Sequence, residues 1–228
     1  MAIFKPLQTT TRSQYVFDHI KNAIFKGKLK PGTPLRELQL AEEFQLSQAT
    51  IREALMQLEK IGIVEKIPHK GTRVIELSEK EITDRLTVRF QLEKLSYIQA
   101  AENMTEKDYQ ELYKIKDEIS KAVNNRSYFE LIKADTKFHR FIWEKSNNQV
   151  LYDVLDQITI PLFAYLSLEH HAMEDDISQV VLSHDKFIDA LKSKDQKKIR
   201  DLFHQVEKHS YQRYIPNGKD YLVPQDSD

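Results

Sequence analysis

Residues 35–74, LRELQLAEEFQLSQATIREALMQLEKIGIVEKIPHKGTRV, decide how the chain is read. Two short amphipathic helices meet in this stretch at a tight turn, and two extended runs then meet at a glycine. In the second helix Ile51, Leu55, Leu58 and Ile61 recur at i, i+4, i+7 and i+10, a single stripe for burial. The opposite side is left free for contact. Ser47 stands just ahead as an N-cap residue, so Gln48, Ala49, Thr50 and Arg52 belong to the opening of that helix. Leu38, Leu40, Ala41 and Phe44 are the apolar positions of the first helix, which braces the second across Gln45 and Leu46. Residues 63–67 and 72–75 read as a hairpin with Pro68, His69, Lys70 and Gly71 at its tip. Helix, turn, helix and hairpin in this order predict a winged helix-turn-helix, in which the opening of the second helix enters the major groove of DNA.

Composition bounds the rest. A chain of 228 residues, 40% hydrophobic, makes one or two domains with packed cores. No run is long enough to cross a membrane and residues 1–8 lack the apolar core of a signal peptide, so a cytoplasmic protein with no membrane partner is expected. The absence of Cys leaves only His, Asp and Glu as metal ligands and excludes a thiol nucleophile. Five Gly are too few for glycine-rich nucleotide loops or a sheet-rich fold, and the bulk of the chain reads as helix. Residues 1–77 carry 12 Lys and Arg against 8 Asp and Glu, whereas the remainder carries 22 against 27. A basic module that meets phosphate is thus joined to an acidic one.

A first helix is expected over residues 10–26, with Tyr15, Val16, Ile20, Ala23, Ile24 and Phe25 at helical spacing and a cap at Thr10, Thr11 or Ser13. Gly27 to Gly32 stop it. Arg12, Lys28, Lys30 and Arg36 are candidates for phosphate contact or ordinary solvated charges. Ser78 and Glu81 form a capping-box pattern, which puts a domain boundary at Leu77 or Ser78. From there to residue 214 the pattern is helical, an antiparallel all-α bundle of about six helices. Thr105 with Asp108, Ser127 with Glu130, and Asp195 supply caps; Asn147-Asn148 and Glu174-Asp175-Asp176 are breaks. Pro161 either kinks its helix or divides two helices. Residues 215–228 lose the periodicity and read as a C-terminal tail.

Polar residues interrupt the apolar stripes of the bundle. Leu131, Ile132, Phe138 and Ile142 define one stripe, and Asp135 and His139 fall on it, one turn apart. In the helix over residues 177–192, Val180, Val181, Phe187, Ile188 and Leu191 surround His184. Buried carboxylates and imidazoles need partners. A shared divalent cation satisfies all three; so does an Asp135–His139 pair with His184 bonded to a backbone carbonyl. Arg89, among Leu86, Phe90, Leu92 and Leu95 with Glu93 one turn on, either faces the pocket, where it can grip an effector carboxylate, or forms a surface pair with Glu93.

Gly27-x-Leu29-x-Pro31-Gly32, Leu35-x-Glu37, Leu40-Ala41-x-x-Phe44, Arg52-Glu53-Ala54-Leu55, Leu58-x-x-x-Gly62 and Gly71-x-x-Val74 together resemble the DNA-binding domain of GntR-type bacterial transcription regulators. With the helical part and its Asp135-x-x-x-His139, the chain resembles the branch named for the FadR C-terminal domain, FCD. The resemblance implies DNA contact by Arg36, Ser47, Gln48, Thr50, Arg52, Lys70 and Gly71. Members usually carry Arg where this chain has Gln48, which implies a different base there, because Gln pairs with adenine and Arg with guanine. It also implies one divalent ion (Zn, Ni or Mn) held by Asp135, His139 and His184. The last His of the family's set falls on Val206, so either His209 substitutes, three protein ligands are completed by water or effector, or the pocket holds no metal.

The expected function is a metabolite-controlled repressor: a homodimer binding a palindromic operator on double-stranded DNA, with a carboxylate metabolite as effector. Residues 1–77 form the DNA-binding domain and residues 78–214 the effector-binding and dimerisation domain. The alternative is a metal-dependent enzyme in the helical domain with the winged module as a tether. No H-E-x-x-H, paired-carboxylate or Cys motif supplies its catalytic group.

Overall fold

Thr11 starts the first helix: its hydroxyl accepts the Gln14 N–H at 3.1 Å, and α1 (Arg12–Phe25) follows. In the computed structural model, which describes residues 11–172 and 178–214, the chain divides into units 1–76 and 77–228. Thr10 as a cap, residues 1–8, the break at Glu174-Asp175-Asp176, a helix start at Ile177, the Val180 side chain and residues 215–228 lie outside what is described. Among the described residues, no helix is long and apolar enough to cross a membrane.

In the first unit α1 packs on α3 (Gln48–Lys60), which is also braced by α2 (Glu37–Phe44). Val16, Ile20 and Ile24 of α1 and Ile51, Ala54, Leu55 and Leu58 of α3 are all buried where the two helices pack. Gln45, φ 54°, ends α2 in the left-handed region, and Ser47 caps α3 by accepting the Thr50 N–H at 3.2 Å. The wing consists of β2 (Val64–Ile67) and β3 (Gly71–Val74). Its turn closes through Lys70 N–H to Ile67 O, with Pro68 fixing one φ and His69 at φ 62°. A strand absent from the sequence reading, β1 (Pro34–Leu35), pairs antiparallel with the other edge of β3, giving the order β1-β3-β2. Two expected core positions are turned outward: Leu38 is 60% and Tyr15 53% exposed. A stripe that fixes a helix face does not fix which flanking apolar residue another helix covers.

The second unit is a bundle of α4 (Glu79–Asn103), α5 (Glu106–Asn124), α6 (Tyr128–Lys145), α7 (Gln149–Ala172), α8 (Ser178–Ser193) and α9 (Gln196–Tyr214). Its central helix is α4, which packs on α6, α7, α8 and α9, while α5 lies against α6 and α8. Tyr97, Leu112, Phe138, Trp143 and Phe203 are among its fully buried side chains. The caps lie where the sequence puts them. Ser78 and Glu81 form a reciprocal box, and Asp195 Oδ1 accepts the Lys197 N–H at 2.9 Å. Asn147, φ 55°, breaks the chain between α6 and α7. Pro161 lies inside α7, which continues through it. Leu95, expected to supply apolar packing, is 44% exposed.

Thr105 and Asp108 form the second capping box, and it joins two helices. Asp108 Oδ2 accepts the Thr105 N–H at 2.9 Å and the Thr105 hydroxyl at 2.6 Å, and Oδ1 lies 2.9 Å from Lys145 Nζ at the end of α6. These contacts, the Thr105 hydroxyl first, then its N–H and Lys145, hold the Asp108 carboxyl at about 2 against an ordinary 3.8. Asp108→Ala is expected to cost about 1 kcal/mol near neutral pH, the usual worth of a cap. Because the folded value is the depressed one, this stability is present above pH ~4 and fades as pH falls toward ~2. Urea titrations of both proteins across that range check it: a gap that persists unchanged at the acid end removes the ionised carboxylate from the explanation.

Candidate functional site

The opening of α3 and the wing tip present the expected DNA-contact residues. Ser47, Gln48, Ala49, Lys70 and Gly71 are exposed, as are Arg12, Lys28, Lys30 and Arg36; Arg36 caps α2 without a side-chain bond. Thr50 is half-buried, its hydroxyl 2.9 Å from Ser47 Oγ. Gly71 has φ 87° and nothing within 4 Å of the place a Cβ would occupy, so the wing backbone is open to close approach there. The Arg52 side chain, 59% exposed, is not free: its guanidinium pairs with Glu37 of α2 at 2.7 Å. That pair, between residues 15 apart, was missed because it bridges a turn and leaves no mark on local spacing.

The second candidate site lies inside the bundle. Asp135, His139 and His184 come together with one potential ligand atom from each, all within 4.8 Å of one another. His184 Nε2 lies 2.9 Å and His139 Nε2 3.7 Å from Asp135 Oδ1. Both imidazoles are buried. On its other side His139 Nδ1 is 2.8 Å from Tyr97 Oη and 3.2 Å from Glu93 Oε1. An ionised carboxylate can only accept, so Nδ1 carries a proton toward Glu93, and Nε2, on the Asp135 side, is the ring's potential ligand atom.

Arg89 does pair with Glu93, at 3.1 Å from Nε to Oε2, but the pair is buried, with the Glu93 side chain 1% exposed. It is therefore a core ion pair rather than the surface pair offered as an alternative. The Arg89 guanidinium also lies 4.6 Å from the centre of the Phe163 ring. Burial opposes the charge on Glu93, but Arg89 and then His139 outweigh it and hold its carboxyl below the ordinary range. Asp135 is treated the same way: desolvation raises it, and His139, His184 and Arg89 bring it down to about 2. Burial and the Glu93 charge push the Tyr97 hydroxyl well up, so it stays a neutral hydrogen-bonding group.

Tyr97 was not anticipated, although Arg89, Glu93 and Tyr97 recur at i, i+4 and i+8 on one face of α4, a signal the sequence carries. On α9, Val206 is half-buried, while His204 and His209 are exposed and outside the cluster. Substitution by His209 is thereby disfavoured on position. The donor set of one carboxylate oxygen and two imidazole nitrogens, backed by a second carboxylate, suits a borderline divalent ion.

Comparison with known proteins bears on the family and the fold. Residues 12–74 match the bacterial regulatory proteins of the gntR family, and residues 84–207 match the FCD domain. The chain is 28% identical over 218 residues to a probable D-xylose utilization operon transcriptional repressor of Paenarthrobacter nicotinovorans, covering 94% of this chain and 92% of that one. It is 24% identical over 204 residues to the HTH-type transcriptional regulator McbR of Escherichia coli, covering 87% and 92%. The solved structure of Escherichia coli McbR/YncC superposes with a TM-score of 0.75 at 22% identity, over 90% of this chain and all of that one, a likeness of fold. A winged helix-turn-helix carrying this family's motifs, joined to a helical FCD domain, makes the chain a member of the GntR family of bacterial transcription regulators, in its FCD branch.

Proposed function

We propose that the protein is a ligand-responsive transcriptional repressor that binds a palindromic operator as a homodimer, through residues 1–77, and is controlled by a carboxylate metabolite taken up in residues 78–214. The observation that carries this reading is the exposed opening of α3, with Ser47, Gln48 and Arg52 outward while Ile51, Leu55 and Leu58 are buried. The regulator reading is preferred to a metal-dependent enzyme because the family and the named relatives are transcription regulators. In this reading Arg52, Thr50, Ser47 and Gln48 meet the major groove, Gln48 favours adenine, and Arg36, Lys70 and Gly71 meet the backbone or minor groove.

In the bundle, Asp135, His139 and His184 would hold one divalent ion, Zn, Ni or Mn, with water or effector completing its ligands where the family's last His is replaced by Val206. The ion would supply a fixed positive charge for an effector oxygen. Arg89 is the cation assigned to an effector carboxylate, and its existing bond to Glu93 means that such an effector must compete with Glu93 or share the guanidinium.

The test is on DNA. An operator duplex is selected from a randomised library with the wild-type protein, and binding is then titrated at fixed salt. Arg52→Ala is expected to cost on the order of 1–3 kcal/mol. Equal affinity of the variant and the wild type for the selected duplex refutes the assigned role.

A further inference from the structure

A carboxylate sits at the surface on which the function proposed above places phosphate. Glu37 is the first residue of α2, and Arg52 Nε donates to its Oε1 at 3.2 Å and Oε2 at 3.1 Å, while Nη2 donates to Oε2 at 2.7 Å. The Arg52 bonds, joined by the charge of Lys66 on β2, hold the Glu37 carboxyl below its ordinary range, so it stays negative. A negative group there weakens attraction to any DNA backbone. What it gives in return is orientation. A free surface arginine must surrender rotamer freedom when it docks on a base. Here the Nε edge is already occupied, which leaves the hydrogens at the Nη1–Nη2 end of the planar guanidinium as a fixed pair of parallel donors.

We propose that Glu37 is a specificity-determining positioning residue, holding Arg52 by its Nε edge so that the Nη1–Nη2 end reads O6 and N7 of one guanine in each operator half-site. This rests on the reading of α3 as the recognition helix. Guanine offers two acceptors on one major-groove edge and fits that fork; adenine replaces one of them with an amino donor, and a donor facing a donor is repelled. An unbuttressed arginine can swing to a phosphate or a neighbouring base. Glu37 denies Arg52 those alternatives and lowers background affinity through its charge. It therefore raises the ratio of specific to non-specific binding, the quantity that matters for finding one site among many.

The experiment uses the full chain and a randomised duplex library. The wild type, Glu37→Gln, Glu37→Asp, Arg52→Lys and Arg52→Ala are each carried through selection. Each is then titrated at one salt concentration on the wild-type selected duplex, on the same duplex with the guanine changed to adenine, and on an unrelated duplex. The wild type is expected to enrich guanine at a symmetric pair of positions, and both Arg52 variants are expected to lose that enrichment. Glu37→Gln should bind the unrelated duplex at least as tightly as the wild type while its guanine-over-adenine preference falls about fivefold or more. Glu37→Asp keeps the charge but shortens the arm, so it should lose preference without the gain on unrelated DNA. If Glu37 only joins α2 to α3, its variants melt earlier and weaken on all duplexes in proportion; an unchanged guanine-over-adenine ratio in both overturns the proposal. A wild type that selects no sequence, or an Arg52→Ala variant that keeps the guanine, instead overturns the underlying reading of α3.

Discussion

Replacing Glu93 with Ala is expected to lower the unfolding free energy by about 3–5 kcal/mol, the cost of leaving one member of a buried ion pair without its partner. The side chain is 1% exposed and serves two groups, the Arg89 guanidinium at 3.1 Å and His139 Nδ1 at 3.2 Å. Without it Arg89 keeps its charge among Phe90 and Phe163, whose ring faces recover only part of what the carboxylate supplied. The pair as a whole is a different matter. Arg89→Met with Glu93→Leu replaces both charges by apolar groups of similar size, and most of the lost stability should return. Urea denaturation of the single and double variants measures both quantities. A loss below about 1 kcal/mol for Glu93→Ala would mean that water reaches Arg89, and the core ion pair would have to be abandoned.

Loading the Asp135, His139 and His184 cluster with metal should give the next largest effect. An ion that binds only the folded protein stabilises it by roughly 2.7 kcal/mol at a hundredfold excess over its dissociation constant. Chelator-treated protein titrated with Zn, Ni or Mn should therefore melt at higher temperature, and Asp135→Ala should abolish the rise. Protons compete with the metal for imidazole, so the apparent affinity should fall as pH is lowered. Val206→His, restoring the family's last ligand type on α9, should strengthen binding. Melting unmoved by any of the three ions, together with no gain from Val206→His, would leave a metal-free pocket in which Arg89 and the imidazoles meet the effector directly.

The parts of this protein that were legible in the sequence are those encoded locally. Ser78 with Glu81, Thr105 with Asp108, and Asp195 mark helix starts because a cap is a bond between near neighbours, and all three form. The stripe of Ile51, Leu55 and Leu58 fixed the face of α3, and the four-residue spacing of Asp135 and His139 placed both on one side of α6. What escaped is non-local. A two-residue strand such as β1 has no periodicity to detect. Arg52 finds Glu37 only once the turn has brought α2 beside α3. Leu38 and Leu95 are apolar at helical spacing yet exposed, since spacing does not say how far a neighbouring element extends. Arg89 and Glu93 could be paired from sequence, but whether the pair faced water or the core depended on α4 being enclosed by four other helices.

The small strand β1 has a consequence for how the first unit assembles. Pro34 pairs with Arg73 and Leu35 with Thr72, while Thr33 O accepts the Val74 N–H at 2.9 Å. These bonds close a loop of chain that contains the whole helix-turn-helix, and they convert an isolated hairpin, marginal by itself, into a three-stranded sheet. Sheet register and helix packing thereby become one event. A one-residue slip of β3 would turn Val74, fully buried, toward water and unseat Leu35, which pairs with Thr72 at the threshold of α2. The wing is thus tied to the helices: loss of its pairing loosens the segment that leads into α2, so the wing and α3 are expected to melt as a single cooperative body.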